Sequence, residues 1–242
     1  MTSGADWFSV AGPSMVTMHS SLRPAGWAVL FDWDGVLVDS SRQHEESWHR
    51  LAREEGLPLF PGFFLQTFGM KNEWIIPQIL RWTKDPDEAV RLGLRKEVHF
   101  REIVARNGIT LCPGAREWGE WLSRHEVPTA IASSTQRANI ELVLDRLGLR
   151  TCFPTVVAAE DVSRGKPDPE VFLLAAERLG VPPERCVVFE DAPAGVEAGK
   201  RAGMKVVALT TTRPPEALQQ ADRILSDLGA AIPSEVKRWF FP

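Results

Sequence analysis

The sequence lacks the features that mark membrane-spanning and nucleic-acid-binding proteins. It contains no run of about 18 apolar residues, which a membrane-spanning helix would need. Its 28 lysines and arginines are fewer than its 32 aspartates and glutamates, which gives a net charge of −4. Nucleic-acid-binding proteins usually carry a basic surplus instead. We therefore expect neither a membrane nor a nucleic acid as a partner.

Cysteine is also scarce, and its three copies are far apart in the chain. Cys112, Cys152 and Cys186 form no Cys-x-x-Cys pair, which disfavours both a disulfide framework and a zinc cage. We expect small core residues in a reducing compartment, the cytoplasm. The segment 1–26 has neither the basic start and apolar centre of a signal peptide nor the arginines of a transit peptide, and we interpret it as a flexible tail.

The rest of the chain alternates short apolar runs with helical patterns. Each apolar run is typical of a buried strand and stops at a polar cluster. Five such runs are recognisable: Ala28–Phe31, Thr129–Ala132, Val156–Ala159, Cys186–Phe189 and Lys205–Leu209. Helical patterns that end at glycine lie between the later runs. This alternation predicts an α/β fold with a doubly wound parallel sheet, covered by helices on both faces.

The segment 39–111 interrupts this alternation, because it contains helical patterns and no convincing strand. Ser41–Glu55 has an apolar stripe, and the acidic Asp-Pro-Asp-Glu start at Asp85 can open a helix that runs to Arg106. We predict an inserted α-helical cap domain (39–111) and a core domain formed by 27–38 and 112–242. The tryptophans of the cap are predicted to form its core: Trp48, Trp74 and Trp82.

The polar clusters at the strand ends should meet at one edge of such a sheet, where doubly wound folds bind their ligands. Buried carboxylates need a counter-charge, and carboxylates with few His or Cys residues favour a hard ion, Mg²⁺ above all. Mg²⁺, a lysine and a helix N-terminus together suit a phosphate dianion. The residues concerned are Asp32, Asp34, Ser133, Lys166, Glu190 and Asp191.

These residues resemble the four motifs of the haloacid dehalogenase superfamily of phosphotransferases, each at a strand end and in the right order. The motifs are Asp32-Trp33-Asp34-Gly35-Val36, Ser133, Lys166 before Pro167, and Glu190-Asp191. The resemblance covers about 27–230, and the helical insert is similar to the C1 cap of the subgroup of phosphoglycolate phosphatases and β-phosphoglucomutase. It implies a Rossmann-like core, obligatory Mg²⁺ and phosphoryl transfer through an aspartyl-phosphate.

The resemblance also implies catalytic roles. Asp32 would be the nucleophile, and Asp34 would protonate the leaving oxygen and then take a proton from water. Lys166 would offset the negative charge of the phosphate. Ser133 would donate a hydrogen bond to a phosphate oxygen, with the amide of Ser134 beside it.

Metal and substrate contacts follow from the same resemblance. The metal ligands would be Asp32, Asp34 through its carbonyl, Glu190 and Asp191. His44, Lys96 and Thr135 fall near substrate-contacting positions of the mutase-like subgroup. His44 is equally compatible with a cap surface group, and Lys96 also fits a solvated helix face. Asn72 stands where that mutase has a phosphate-gripping arginine.

Three functions remain open at this stage: a phosphatase, a phosphosugar mutase of the β-phosphoglucomutase type, and a non-catalytic metal- or ligand-binding protein. The last is disfavoured because no motif position is substituted. A mutase needs a second phosphate grip, which Asn72 weakens, although Lys71 and Lys96 could compensate. We therefore expect an Mg²⁺-dependent phosphatase that acts on a small-molecule phosphate monoester, such as a sugar phosphate, as a monomer or weak homodimer.

A narrower and weaker resemblance concerns cap and loop segments. Gly69–Glu73, Trp82–Pro86 and Arg164–Glu170 look like parts of plant-type phosphatases that act on a ribitylaminouracil phosphate. Selectivity in this superfamily resides mostly in such segments. The same similarity also fits common ancestry alone, so the substrate stays open.

Overall fold

The computed structural model describes residues 26–242, and eight strands occur in that part of the chain. The predicted tail (1–26) lies, but for Gly26, outside the described residues. The strands are β1 (Ala28–Phe31), β2 (Val38–Asp39), β3 (Thr110–Leu111), β4 (Thr129–Ala132), β5 (Thr155–Val157), β6 (Cys186–Glu190), β7 (Lys205–Leu209) and β8 (Arg223–Leu225). Six of them form one parallel sheet in the order β5-β4-β1-β6-β7-β8, while β2 and β3 pair antiparallel. The predicted Rossmann-like α/β architecture is confirmed.

Nine α-helices surround the strands within residues 26–242. They are α1 (Ser41–Glu55), α2 (Phe63–Thr67), α3 (Asn72–Trp74), α4 (Pro86–Asn107), α5 (Ala115–Arg124), α6 (Arg137–Leu147), α7 (Glu170–Leu179), α8 (Pro193–Arg201) and α9 (Pro233–Phe240). Pro77 lies in a π-helical turn (Ile75–Leu80), since a proline cannot donate the amide that a regular helix needs. Over the described part of the chain, no helix combines the length and apolar character needed to cross a bilayer.

The sheet buries a separate hydrophobic core on each face, because successive side chains of a strand point to opposite sides. In β1, Val29 and Phe31 join the cluster that contains Trp118 of α5. Ala28 and Leu30 join the opposite cluster, which contains Phe172 of α7. The three cysteines are free and buried, as predicted.

Two strand predictions were incomplete. β8 and the β2–β3 pair were not predicted, because runs of two or three residues show too little periodicity. The predicted strand Val156–Ala159 begins and ends earlier, at Thr155–Val157, because a 3₁₀ turn starts at Ala159.

Helices α1–α4, with the loops between them, form a helical segment between β2 and β3. It has its own apolar cluster, in which Trp48 is buried and Trp82 partly buried. Trp74 is 59% exposed, so its predicted place in this core was wrong. The cluster is filled instead by Ile75 and Ile76, which follow Trp74 on the π-helical turn.

Polar contacts join the helical segment to the sheet domain at several places. At the first, the buried carboxylate of Glu97 on α4 accepts a hydrogen bond from Asn139 Nδ2 on α6 (2.6 Å). At the second, Lys71 Nζ donates to the carbonyls of Ala159 (3.2 Å) and Val162 (3.3 Å). At the third, Arg213 Nη2 donates to the Leu65 carbonyl (2.8 Å).

Glu97 is the most heavily bonded of these groups. Its carboxylate also accepts from Asn72 Nδ2 (2.7 Å) and Lys96 Nζ (3.0 Å). Burial alone would raise the pKa of Glu97, but Lys96, His44 and the Asn72 donor outweigh burial and lower this pKa below its usual 4.5. The charged carboxylate is therefore the form that the fold stabilises.

We predict that Glu97→Gln destabilises the protein by about 2 kcal/mol at pH 7, since buried hydrogen bonds to a charged group are lost. A depressed pKa contributes stability that is present above the unfolded pKa and lost as pH falls through the folded pKa. The difference between wild type and Glu97→Gln should therefore persist at pH 5 and shrink below about pH 4.3. Urea unfolding of both proteins between pH 3.5 and pH 7 measures this difference in the free energy of unfolding.

Glu102→Gln is the matched control on the same helix, because the Glu102 side chain is 56% exposed. Its stability should stay within about 0.5 kcal/mol of wild type at each pH. A Glu97→Gln deficit that is equally large at pH 3.5 and pH 7 would show that packing, rather than charge, makes Glu97 stabilising.

Candidate active site

The central strands deliver the predicted polar residues to one edge of the sheet. Phe31, the last residue of β1, is in register with Ile131 of β4 and Phe189 of β6. The residues that follow these positions therefore emerge at nearly the same level. The Asp32 amide donates to the Phe189 carbonyl (2.9 Å), which holds the start of the loop against the neighbouring strand.

Lys166 joins two of the carboxylates at this edge. It lies in the loop before α7, its side chain is buried, and its Nζ donates to Asp32 Oδ1 and Glu190 Oε1, both at 2.7 Å. Burial would lower the pKa of Lys166, but these two carboxylates raise it, so the ammonium form is retained. Lys166 therefore supplies a permanent positive charge next to Asp32.

Glu190 is held from the other side by backbone amides and by a close helix. Its Oε2 accepts from the amides of Asp191 (2.8 Å) and Ala192 (2.9 Å). A Cβ at position 195 in α8 would lie 1.7 Å from Glu190 Oε1, so only glycine permits this approach. Glu190 is thus fixed in place and orients Lys166.

Three carboxylates share this small volume: Asp32, Glu190 and Asp191 have oxygens within 4.8 Å of one another. Burial, with a further contribution from Glu190, raises the pKa of Asp32 to about 7 against the opposing effect of Lys166. Burial and Glu190 also raise the pKa of Asp191 well above its usual value. Lys166 alone does not balance three acids, and this oxygen-only cluster fits a hard divalent cation.

Asp34 has the opposite environment although it is only two residues from Asp32. Its carboxylate accepts from the hydroxyls of Ser40 and Thr135 and lies 3.2 Å from His44 Nε2. Burial alone would raise the pKa of Asp34. The charge and hydrogen bond of His44, together with the two hydroxyls, outweigh burial and lower this pKa to about 2. The two aspartates are therefore differentiated by their neighbours.

His44 connects Asp34 to the helical segment. Its ring stacks on Phe100 with centroids 4.0 Å apart, and its Nδ1 lies 2.6 Å from Lys96 Nζ. Lys96 is only 2% exposed, so the alternative of a solvated helix face was wrong for it. Both residues line the cleft, and both are already engaged with protein groups.

The edge of the sheet and the helical segment enclose a cleft of about 780 Å³, including its open mouth. Nine of the ten predicted site residues line it: Asp32, Asp34, His44, Lys96, Ser133, Ser134, Thr135, Lys166 and Glu190. Asp191 is buried among the carboxylates and does not line the cleft. The Ser133 hydroxyl oxygen accepts from the Thr135 amide (3.1 Å), which leaves its proton free to be donated into the cleft.

Several residues of the site were not predicted. The hydroxyl of Thr212 donates to Asp191, and that of Thr211 donates to the Gly35 carbonyl (2.6 Å). Both threonines follow β7, so the same strand-end pattern would have indicated them. Ser40 and Glu97 carry no comparable signal, because their partners lie on other elements.

Comparison with known proteins gives a consistent assignment. The family profile described as haloacid dehalogenase-like hydrolase matches residues 28–203. A chloroplastic 5-amino-6-(5-phospho-D-ribitylamino)uracil phosphatase of Arabidopsis thaliana is 38% identical over 84% of this chain, but the match spans only 55% of that protein's length. The validoxylamine A 7'-phosphate phosphatase of Streptomyces hygroscopicus subsp. limoneus is 36% identical over 82% of this chain and 92% of its own.

A solved structure agrees with the sequence relatives. The β-phosphoglucomutase of Clostridium difficile superimposes with a TM-score of 0.77 at 25% identity, covering 88% of this chain and 96% of that one. The family profile covers most of the chain, including Asp32, Ser133, Lys166 and Glu190. The chain therefore belongs to the haloacid dehalogenase-like hydrolases.

Proposed function

We propose that the chain is a metal-dependent phosphatase that hydrolyses a small phosphate monoester through an aspartyl-phosphate on Asp32. The observation that carries this proposal is the pairing of Asp32 with Lys166 inside a cluster of three buried carboxylates. Because the carboxylates repel a phosphate dianion, the site can bind one only when positive charges surround the dianion. Relatives named as phosphatases support the same reaction class.

In the first step, a carboxylate oxygen of Asp32 attacks phosphorus, and the bond to the leaving oxygen breaks. Asp34 is a carboxylate in the free site, so we infer that it takes up a proton as the phosphate dianion binds beside it. It gives that proton to the leaving oxygen, and in the second step it takes a proton from the water that cleaves the acyl-phosphate. Its lowered pKa favours the carboxylate, which is the form that the second step needs. Lys166 and the Ser133 hydroxyl are placed to contact the phosphoryl oxygens.

The donor set fits Mg²⁺, with Asp32, Asp191 and the Asp34 carbonyl as ligands and Glu190 beside them. When bound, the ion would supply the positive charge that lets one anion attack another. Glu190 is also bonded to Lys166 and to two backbone amides, so we assign it the further role of keeping Lys166 in place.

We propose that the helical segment (39–111) acts as a cap over this chemistry. It supplies one wall of the cleft, including Phe64 and Met70. It also contacts Asp34 directly through Ser40 and His44. A cap that excludes water and contacts the leaving group would favour particular esters over others.

The cations of the cleft favour hydrolysis over the mutase alternative. A mutase must grip a second phosphate, but Asn72, at the position of the gripping arginine, donates to Glu97 instead. Lys71 is bonded to two backbone carbonyls, and Lys96 to Glu97 and His44. Among the described residues that line the cleft, no uncommitted cation is therefore available for a second phosphate.

A screen of phosphate monoesters with Mg²⁺, scored by released inorganic phosphate, tests this function. Conversion of β-glucose 1-phosphate to glucose 6-phosphate, with little phosphate released, would favour the mutase. Failure to release phosphate from any ester in the presence of Mg²⁺ would contradict the proposal.

Asp32→Asn should reduce phosphate release by more than about 1000-fold, because the amide is not a nucleophile at phosphorus. The melting temperature should stay the same or rise, since one of three clustered carboxylates loses its charge. Asp39→Asn is the matched control, because Asp39 is exposed and lies outside the cleft. Activity of Asp32→Asn within tenfold of wild type would contradict the assignment of the nucleophile.

Chelation of divalent ions should abolish phosphate release, and Mg²⁺ should restore it. Ca²⁺ should inhibit, because its larger and more variable coordination shell lets Asp32 bind through both oxygens and lose its attack geometry. Mg²⁺ should also raise the melting temperature of wild type, and much less that of Asp191→Asn, because binding to the native state stabilises it. Full activity after chelation and dialysis would refute the metal requirement.

A further inference from the structure

The part of the helical segment from α2 to α3 exposes several large apolar side chains. Among the described residues, eight large hydrophobic side chains are exposed, and three of them lie between positions 65 and 74. They are Leu65 (70% exposed), Met70 (45%) and Trp74 (59%). Isolated exposed hydrophobics are ordinary, but a contiguous set marks a binding surface.

These three side chains line one groove of about 1600 Å³, including its open mouth. Pro167 and Pro193 of the sheet domain also line it, so it runs between the helical segment and that domain. We call it the apolar groove. Its walls expose indole, thioether and pyrrolidine surfaces, which suit a flat ring rather than a polyhydroxy chain.

The apolar groove is continuous with the catalytic cleft. Ser134 and Lys166 line both cavities, as do Phe68, Gly69 and Met70. A molecule whose phosphate lies at Asp32 and Lys166 can therefore extend past Met70 toward Trp74. The occupant that this continuity favours is the far end of the substrate itself.

The charges of the apolar groove argue against a second anionic group there. Its two basic residues besides Lys166 are Lys71 and Arg213, and both donate to backbone carbonyls. Its acidic residue, Glu73, would repel an anion. The apolar groove can therefore bind apolar and aromatic groups, but it does not favour binding of a phosphate or carboxylate.

We propose that the apolar groove binds the leaving-group end of the substrate and that this end carries an aromatic or heteroaromatic ring, with Trp74 as its stacking partner. This inference rests on the proposed phosphatase function, because it places the phosphate at Asp32. It makes Trp74 a specificity-determining residue.

The test uses two series of primary-alcohol phosphates with chains of increasing length, ω-phenylalkyl and ω-cyclohexylalkyl. Their leaving groups are chemically alike, so differences in kcat/KM report binding of the terminal ring. Wild type should prefer the phenyl ester by about tenfold once the chain is long enough to reach Trp74. Trp74→Ala should remove this preference while changing kcat/KM for glycerol 1-phosphate by less than about twofold.

Leu94→Ala is the matched control, because Leu94 is 52% exposed on α4 but does not line the apolar groove. It should leave the phenyl preference unchanged. The corresponding phosphonates, which are not hydrolysed, should inhibit in the same order, and Trp74→Ala should weaken only the phenyl members. This second readout does not depend on turnover.

The outcomes separate the two proposals. Phosphate release from every ester, with equal effects of Trp74→Ala on phenyl, cyclohexyl and glycerol substrates, would overturn the ring site but leave the phosphatase intact. No phosphate release from any ester would overturn the phosphatase itself. A change of oligomeric state in Trp74→Ala, with the ring preference unaltered, would show that a second copy of the chain covers the groove and would overturn the inference.

Discussion

Three carboxylates and one lysine, all buried, share the end of the sheet, and this crowding of charge governs the site. Asp32, Glu190 and Asp191 repel one another in a region from which water is largely excluded. Lys166 offsets part of this repulsion and is itself oriented by Glu190. The cluster is therefore short of positive charge, which makes it receptive to a divalent cation.

The same edge of the sheet places two aspartates in opposite electrostatic states. Asp32 has carboxylate neighbours, which add to the effect of burial and raise its pKa to about 7. Asp34 has His44 and two hydroxyls as neighbours, and its pKa falls to about 2. His44 belongs to the helical segment, so the state of Asp34 depends on contacts between the two parts of the chain. Lys96 and Glu97 extend these contacts to α6 through Asn139.

Much of the core could be predicted from the sequence because its signals are local. A buried strand followed by Asp32-Trp33-Asp34 is a short apolar run with a polar stop, and parallel strands bring such stops to one edge. The helix predicted over Ser41–Glu55 has those bounds in the structure, and α4 ends one residue beyond the predicted Arg106. Both helices could be predicted because α1 has an apolar stripe and α4 begins at a proline. β8 escaped prediction because three residues carry almost no periodicity.

The sequence by itself determined the parallel α/β core, the helical insertion and the residues at the strand ends, because each depends on neighbours close in the chain. Tertiary structure alone decided that Lys96 is buried between His44 and Glu97 and that Trp74 faces solvent beside the cleft. A helical pattern shows which residues share a face, but it does not show what packs against that face. In the helical segment, what packs against each helix face depends on how α1–α4 contact the sheet domain, and these contacts join residues far apart in the chain.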